Sequence, residues 1–252
     1  NAWTTTYGSW QRLSADAAVS SPGFSGNHYG NISGVERKIE GLTFGISGAV
    51  GASSANFGQG MGSMSADTWH AGLYGSARVG RLVWDAAASY GAAESTIKKN
   101  AADSKQVKFQ STEWISQFGV SMPLQTGSWT LTPALHVLSA GYKQHAFTDQ
   151  GQAIVPISMS VLQKRYTASA SKAGIQATKL LSVRGHALRL STSADWLHYL
   201  DNKRRQAQVQ YAGLDDATLR MDGAKTGSDS IEIGGAAEIS LTRRTTLRLN
   251  VV

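Results

Sequence analysis

The chain has 252 residues, a formal net charge of +7, 16% charged residues, 27 glycines, 4 prolines and no cysteine. Disulfides, thiolate metal sites and cysteine nucleophiles are therefore excluded, and 7 Trp, 8 Tyr and 6 Phe with so little charge do not fit a disordered chain. Apolar runs of only a few residues, at a mean hydropathy of −0.22, exclude a spanning helix, which needs about 20 apolar residues in a row.

Along the chain, apolar residues recur at every second position, the period of a strand. Strands are predicted at 2–13, 26–39, 42–54, 66–78, 82–95, 107–122, 129–143, 162–178, 186–200 and 228–241, with another beginning at 245. The alternation is clearest where Leu42, Phe44, Ile46 and Val50 interleave with Thr43, Gly45, Ser47 and Ala49. It is equally clear where Leu82, Trp84, Ala86, Ala88 and Tyr90 interleave with Val83, Asp85, Ala87 and Ser89. The apolar face is diluted over 27–39, and over 165–178 the parity shifts midway, which predicts a bulge. A helical reading would put many glycines in helix interiors, at about 1 kcal/mol each.

The connections alternate in length. Short ones are predicted at 40–41, 79–81, 126–128, 179–185 and 242–244, and long ones at 14–25, 55–65, 96–106, 144–161 and 201–227. All tight turns then fall at one end of the sheet and all long loops at the other, as in outer-membrane barrels. A soluble sandwich or barrel also alternates, but its strands cluster near 5–6 residues, whereas a tilted bilayer-crossing strand needs about 9–11. The expected fold is an all-β, transmembrane, antiparallel up-and-down β-barrel. Trp3, Trp84 and Trp129 at the short-turn end, with Trp69, Tyr90 and Trp196 at the long-loop end, are the expected membrane-interface aromatics.

Glu36, Arg78, Asp85, Glu113, Arg189, Asp195, Glu232 and Glu238 take the polar parity. Ions removed from water are costly unless paired, so these are expected to line the lumen as a network of mixed sign. No G-x-S-x-G, H-E-x-x-H or P-loop motif occurs, and His28, His70, His136, His145, His186 and His198 lack ligand-like spacing. No enzymatic activity, metal or cofactor is expected. The basic residues Lys98, Lys99, Lys105 and Lys108, and Lys203, Arg204 and Arg205, gather at two long loops. With no nucleic-acid module beside them, no nucleic-acid partner is expected.

Several segments resemble, in order, the translocator barrel of autotransporters, the type V secretion proteins of Gram-negative bacteria. They are Trp3–Trp10 (WTTTYGSW), Gly72–Arg78 (GLYGSAR), Asp85–Gly91 (DAAASYG), Pro133-Ala134-Leu135, Phe147–Gly151 (FTDQG), Gly174-Ile175, Trp196-Leu197-His198 and Met221–Ala224 (MDGA). The resemblance implies a single barrel domain over 1–252 that anchors and exports an N-terminal passenger across the bacterial outer membrane. It implies outer-membrane lipid and lipopolysaccharide, the barrel-assembly machinery and the passenger as partners, with the first residues periplasmic and the long loops extracellular. Two departures from the family pattern stand out. No linker helix precedes the first strand, and the residues from Leu247 to Val252 lack the closing aromatic strand. The expectation is a portion of a twelve-stranded barrel, trimmed at both ends. The rival readings are a non-secretory pore or adhesin barrel presenting basic loops and, behind it, a soluble ligand-binding barrel.

Overall fold

The structure, a computed structural model, describes residues 1–15, 23–58, 61–99, 106–149, 159–183, 186–201, 206–211, 218–222, 227–240 and 246–251. Its strands are β1 (Ala2–Leu13), β2 (Phe24–Ile39), β3 (Leu42–Phe57), β4 (Gly62–Val79), β5 (Leu82–Lys98), β6 (Val107–Ser121), β7 (Leu124–Thr126) and β8 (Trp129–Gln144). They continue as β9 (Phe147–Asp149), β10 (Met159–Val161), β11 (Lys164–Val183), β12 (His186–Tyr199), β13 (Gln206–Tyr211), β14 (Thr218–Asp222), β15 (Asp229–Ser240) and β16 (Thr246–Val251).

Next-neighbour antiparallel pairing joins β1-β2-β3-β4-β5-β6-β8-β11-β12-β15-β16 into one sheet, with the short β7 folded onto β8. The sheet curls into a half-barrel. Its curvature is visible in side chains, because Trp3 Nε1 on β1 donates to the Tyr74 hydroxyl on β4 at 2.5 Å. Three strand spacings in a flat sheet would separate those backbones by about 14 Å with parallel side chains; only a concave face lets the tips meet.

Tight hairpins fix the register at one end. Glu40 and Gly41 both have positive φ, 37° and 86°, the two-residue hairpin geometry whose twist matches the strands. At the other end the strands run further than alternation alone predicts. The 55–65 loop shrinks to 58–61, because β3 reaches Phe57 and β4 starts at Gly62, paired directly. Ladder bonds need no apolar side chains, so pairing continues through the polar stretches Ser53–Asn56 and Ser63–Ser65. The predicted bulge in 165–178 is absent. β11 pairs β8 without interruption from Lys164↔Gln144 to Lys179↔Trp129. What changes is composition, since one face passes from Arg165, Thr167, Ser169 and Ser171 to Ala173, Ile175 and Ala177. The two longest predicted loops are not structureless either. They supply β9 and β10, and β13 and β14, which pair in the order β14-β13-β10-β9 as a second, four-stranded sheet.

Candidate functional site

Register and alternation assign every wall residue to the concave face, marked by Trp3 and Tyr74, or to the convex one. The expected lumenal residues Glu36, Arg78, Asp85, Glu113, Arg189, Asp195, Glu232 and Glu238 all share the Tyr74 face. Near the hairpin end, Glu36 Oε2 accepts from the Tyr74 hydroxyl at 3.3 Å while its Oε1 pairs with Lys38 at 3.2 Å. Further round, Asp85 meets His136 Nε2 at 3.3 Å and accepts from Gln117 Nε2 at 3.2 Å. Glu113 and His70 Nε2 stand 2.8 Å apart. Arg189 reaches Glu238 at 4.0 Å, whereas Arg78 has no ion pair among the described residues.

Lys172 is the residue that sequence reasoning missed. Its Nζ lies 3.3 Å from Asp195 and 3.0 Å from Glu232, and those two carboxylates are direct cross-strand partners. Like charges placed so are destabilising, and the ammonium from β11 bridges them. The apparent parity shift in 165–178 hid it, although strict alternation from Ile175 would have placed Lys172 on the inner face.

Glycines let these side chains lie flat across the wall. A Cβ on Gly45 would come within 2.5 Å of Tyr74 Cζ, and one on Gly119 would strike the His136 ring. The resulting concavity holds a cavity of about 600 Å³ bordered by Tyr7, His28, Ser47, His70, Glu113 and Tyr142. Towards the loop end its side chains pack more closely. Ala66, Ser95, Val107, Phe109 and Ser111 are buried there, and Phe147 of β9 stacks on Phe109 with centroids 4.8 Å apart.

The convex face is the opposite in character. Ile46, Val50, Leu73, Phe118, Leu135, Ile175, Ile231 and Ile233 are exposed, the last two at 76% and 71%. Among the described residues the buried hydrophobics are only Ala66, Val107, Phe109, Ala170 and Leu197. A water-soluble chain would invert that balance, since monomers rarely expose apolar patches beyond a few hundred Å². The face is not uniformly apolar. The dilution over 27–39 becomes a hydrogen-bonded cluster of Thr4, Asn31 and Ser33, with Thr4 Oγ1 2.9 Å from Ser33 Oγ.

Of the expected interface aromatics, Trp69, Trp84, Tyr90, Trp129 and Trp196 lie on the convex face. Trp84 stacks with Phe118 at 5.8 Å, and Lys179 sits 5.2 Å above the Trp129 ring. Trp196 Nε1 donates to Asp229 at 3.1 Å. Trp3 is a correction. It belongs to the inner face, held by Tyr74, because its strand begins at Ala2 and puts the odd residues inward. Trp114 pairs with Tyr90 on the convex face, each at the middle of its strand. Lys105, Lys203–Arg205, Gln150-Gly151 and Gly223-Ala224 fall outside the described residues.

The family model described as Autotransporter beta-domain matches residues 2–252. The chain belongs to the autotransporter beta-domain family. No curated protein sequence matches it, but solved structures share the fold at low identity. The beta domain of the Bordetella autotransporter BrkA is 11% identical with a TM-score of 0.67, over 99% of this chain and 89% of that one. The translocator domain of autotransporter NalP from Neisseria meningitidis is 14% identical with a TM-score of 0.66, over 98% and 78%. The transport unit of the autotransporter AIDA-I from Escherichia coli is 16% identical with a TM-score of 0.63, over 99% and 84%. As an autotransporter beta-domain, the chain is an outer-membrane translocator barrel that exports a passenger. Domains of this family are transport barrels, not enzymes.

Proposed function

We propose that residues 1–252 act as one barrel domain whose hairpin end faces the periplasm and whose long loops face outward. The observation that carries this reading is the pairing of a wet, charge-bearing concave wall with an exposed aliphatic convex wall. Glu36, Arg78, Asp85, Glu113, Arg189, Asp195, Glu232 and Glu238, joined by Lys172, keep the inner wall hydrated, so that an unfolded polypeptide can slide past without adhering. Trp69, Trp84, Tyr90, Trp129 and Trp196 settle at headgroup depth and fix the barrel's height. Transport needs no chemistry from this chain, and no enzymatic activity is assigned to it. Insertion would use the barrel-assembly machinery, and the loop end would meet lipopolysaccharide.

Orientation is tested on intact cells carrying an epitope between Lys203 and Arg204, or instead between Gly80 and Arg81. Antibody should label the first and not the second, and the reverse pattern would overturn the orientation. Arg78→Gln combined with Arg189→Gln separates transport from stability. Passenger display should fall while the barrel's melting temperature holds; unchanged display with a lower melting temperature would reduce these charges to a structural role.

A further inference from the structure

The convex wall carries an arrangement that a hydrocarbon-facing surface should avoid. Lys143 on β8 and Arg165 on β11 are direct cross-strand partners. Both share the face of Trp69, because one hydrogen-bonded row runs Val50, Trp69, Ala92, Thr112, Lys143, Arg165. Arg165 is exposed and Lys143 half-buried, and neither has an ion pair or side-chain hydrogen bond among the described residues. Opposed like charges cost stability in any sheet, and cations on a lipid-facing strand cost up to about 2–4 kcal/mol when deep in the bilayer, falling towards zero at its surface.

Depth is set by the next row. It holds Tyr90, Trp114 and Gly141, two exposed aromatics and a glycine, and the cations lie one step further on, next to the loop-end residues of β8 and β11. Beneath them the wall is shallow and hydroxyl-bearing. Thr167 follows Arg165 on the same face, and Ser139 Oγ lies 3.0 Å from Ser169 Oγ. β11 also runs past the end of β12, whose last ladder pair is Tyr199↔Ala170 and whose next residue, Leu200, donates to the Ser169 carbonyl. Among the described wall residues the nearest convex carboxylates are Asp67 and Glu94, two or more strands away, and Glu94 is engaged by Lys108 at 3.7 Å.

We infer that Lys143 and Arg165 clamp a phosphate of an outer-leaflet glycolipid, with Trp114 and the Ser139–Ser169 floor against its sugar and upper acyl region. A dianionic phosphate turns the costly cation pair into two charge-assisted contacts, the planar guanidinium supplying a bidentate fork. The inference rests on the outward orientation of the loop end, but its test does not.

The full protein, folded in detergent micelles, is titrated by native mass spectrometry with bisphosphorylated lipid A, with the same lipid stripped of phosphate, and with inorganic phosphate. The expected result is saturable binding of the phosphorylated lipid alone. Lys143→Gln with Arg165→Gln should weaken it about 30-fold, on the order of one contribution per cation at a charged surface. Lys143→Arg should retain it, and Lys98→Gln should leave it untouched. Equal binding by the double variant, or equal affinity for the stripped lipid, would overturn the site. Inorganic phosphate binding as tightly as the lipid would overturn the lipid assignment. Because micelles have no inside or outside, any of these failures leaves the epitope test of orientation standing.

Discussion

At the scale of single residues, the inner wall is held by pairs that neutralise one another at part solvation. Partly solvated ion pairs contribute only about 0–1 kcal/mol, so the Arg189–Glu238 pair is minor on its own. Lys172 differs because it separates two carboxylates that backbone pairing forces together. Lys172→Met should lower barrel stability by about 1–3 kcal/mol, read as a lower temperature of the heat-modifiable shift in gel mobility. Adding Glu232→Gln should restore part of the loss. If the single variant melts unchanged, the bridging role is wrong. Gly119→Leu tests the flat seat of the His136 ring by the same assay, since its side chain would meet the imidazole. An overpacked site of this kind costs about 1–3 kcal/mol, and a variant as stable as the parent would contradict the seat. The facing of the eight charges was legible because each strand keeps strict alternation. Their partners were not, since parity says which face a residue takes and nothing about which distant strand bends round to meet it. Trp3 departs from expectation for a related reason, since its distance from the hairpin end suggests the interface whereas its parity turns it inward.

At the scale of elements, strands and hairpins could be read from period and turn chemistry, and β1, β5 and β12 lie close to their predicted positions. The upper ends of β3 and β4 could not, because polar sequence hides a ladder held by backbone bonds alone. The second sheet was invisible for the opposite reason. β10 and β13 are short segments far apart in the chain, and their pairing depends on the wall bringing two long connections together. That sheet touches the wall through Phe147 on Phe109, a stacked pair worth about 0.5–1.5 kcal/mol beyond its buried area. Phe147→Ala should speed proteolysis in the 145–163 connection while leaving the wall's melting temperature nearly unchanged. Undiminished protease resistance would mean that the stack does not hold the outer sheet in place.

At the scale of the whole molecule, the decisive feature is inversion, with aliphatic residues outside and ions inside. The sign of that inversion could be read in the sequence from strand length and the lengths of alternate connections, since soluble strands seldom exceed about 10 residues, whereas the strands predicted at 66–78 and 162–178 already have 13 and 17. The absence of cysteine makes the claim directly measurable. Single cysteines placed in turn at Ala86, Ala87, Ala88 and Ser89 of β5, in protein reconstituted into lipid vesicles, are exposed to a charged, membrane-impermeant thiol reagent. Positions 87 and 89 should react and positions 86 and 88 should be protected, an alternation of period two along the strand. Uniform reaction at all four, or protection at 87 and 89 with reaction at 86 and 88, would contradict a wall with water on its concave side and hydrocarbon on its convex side.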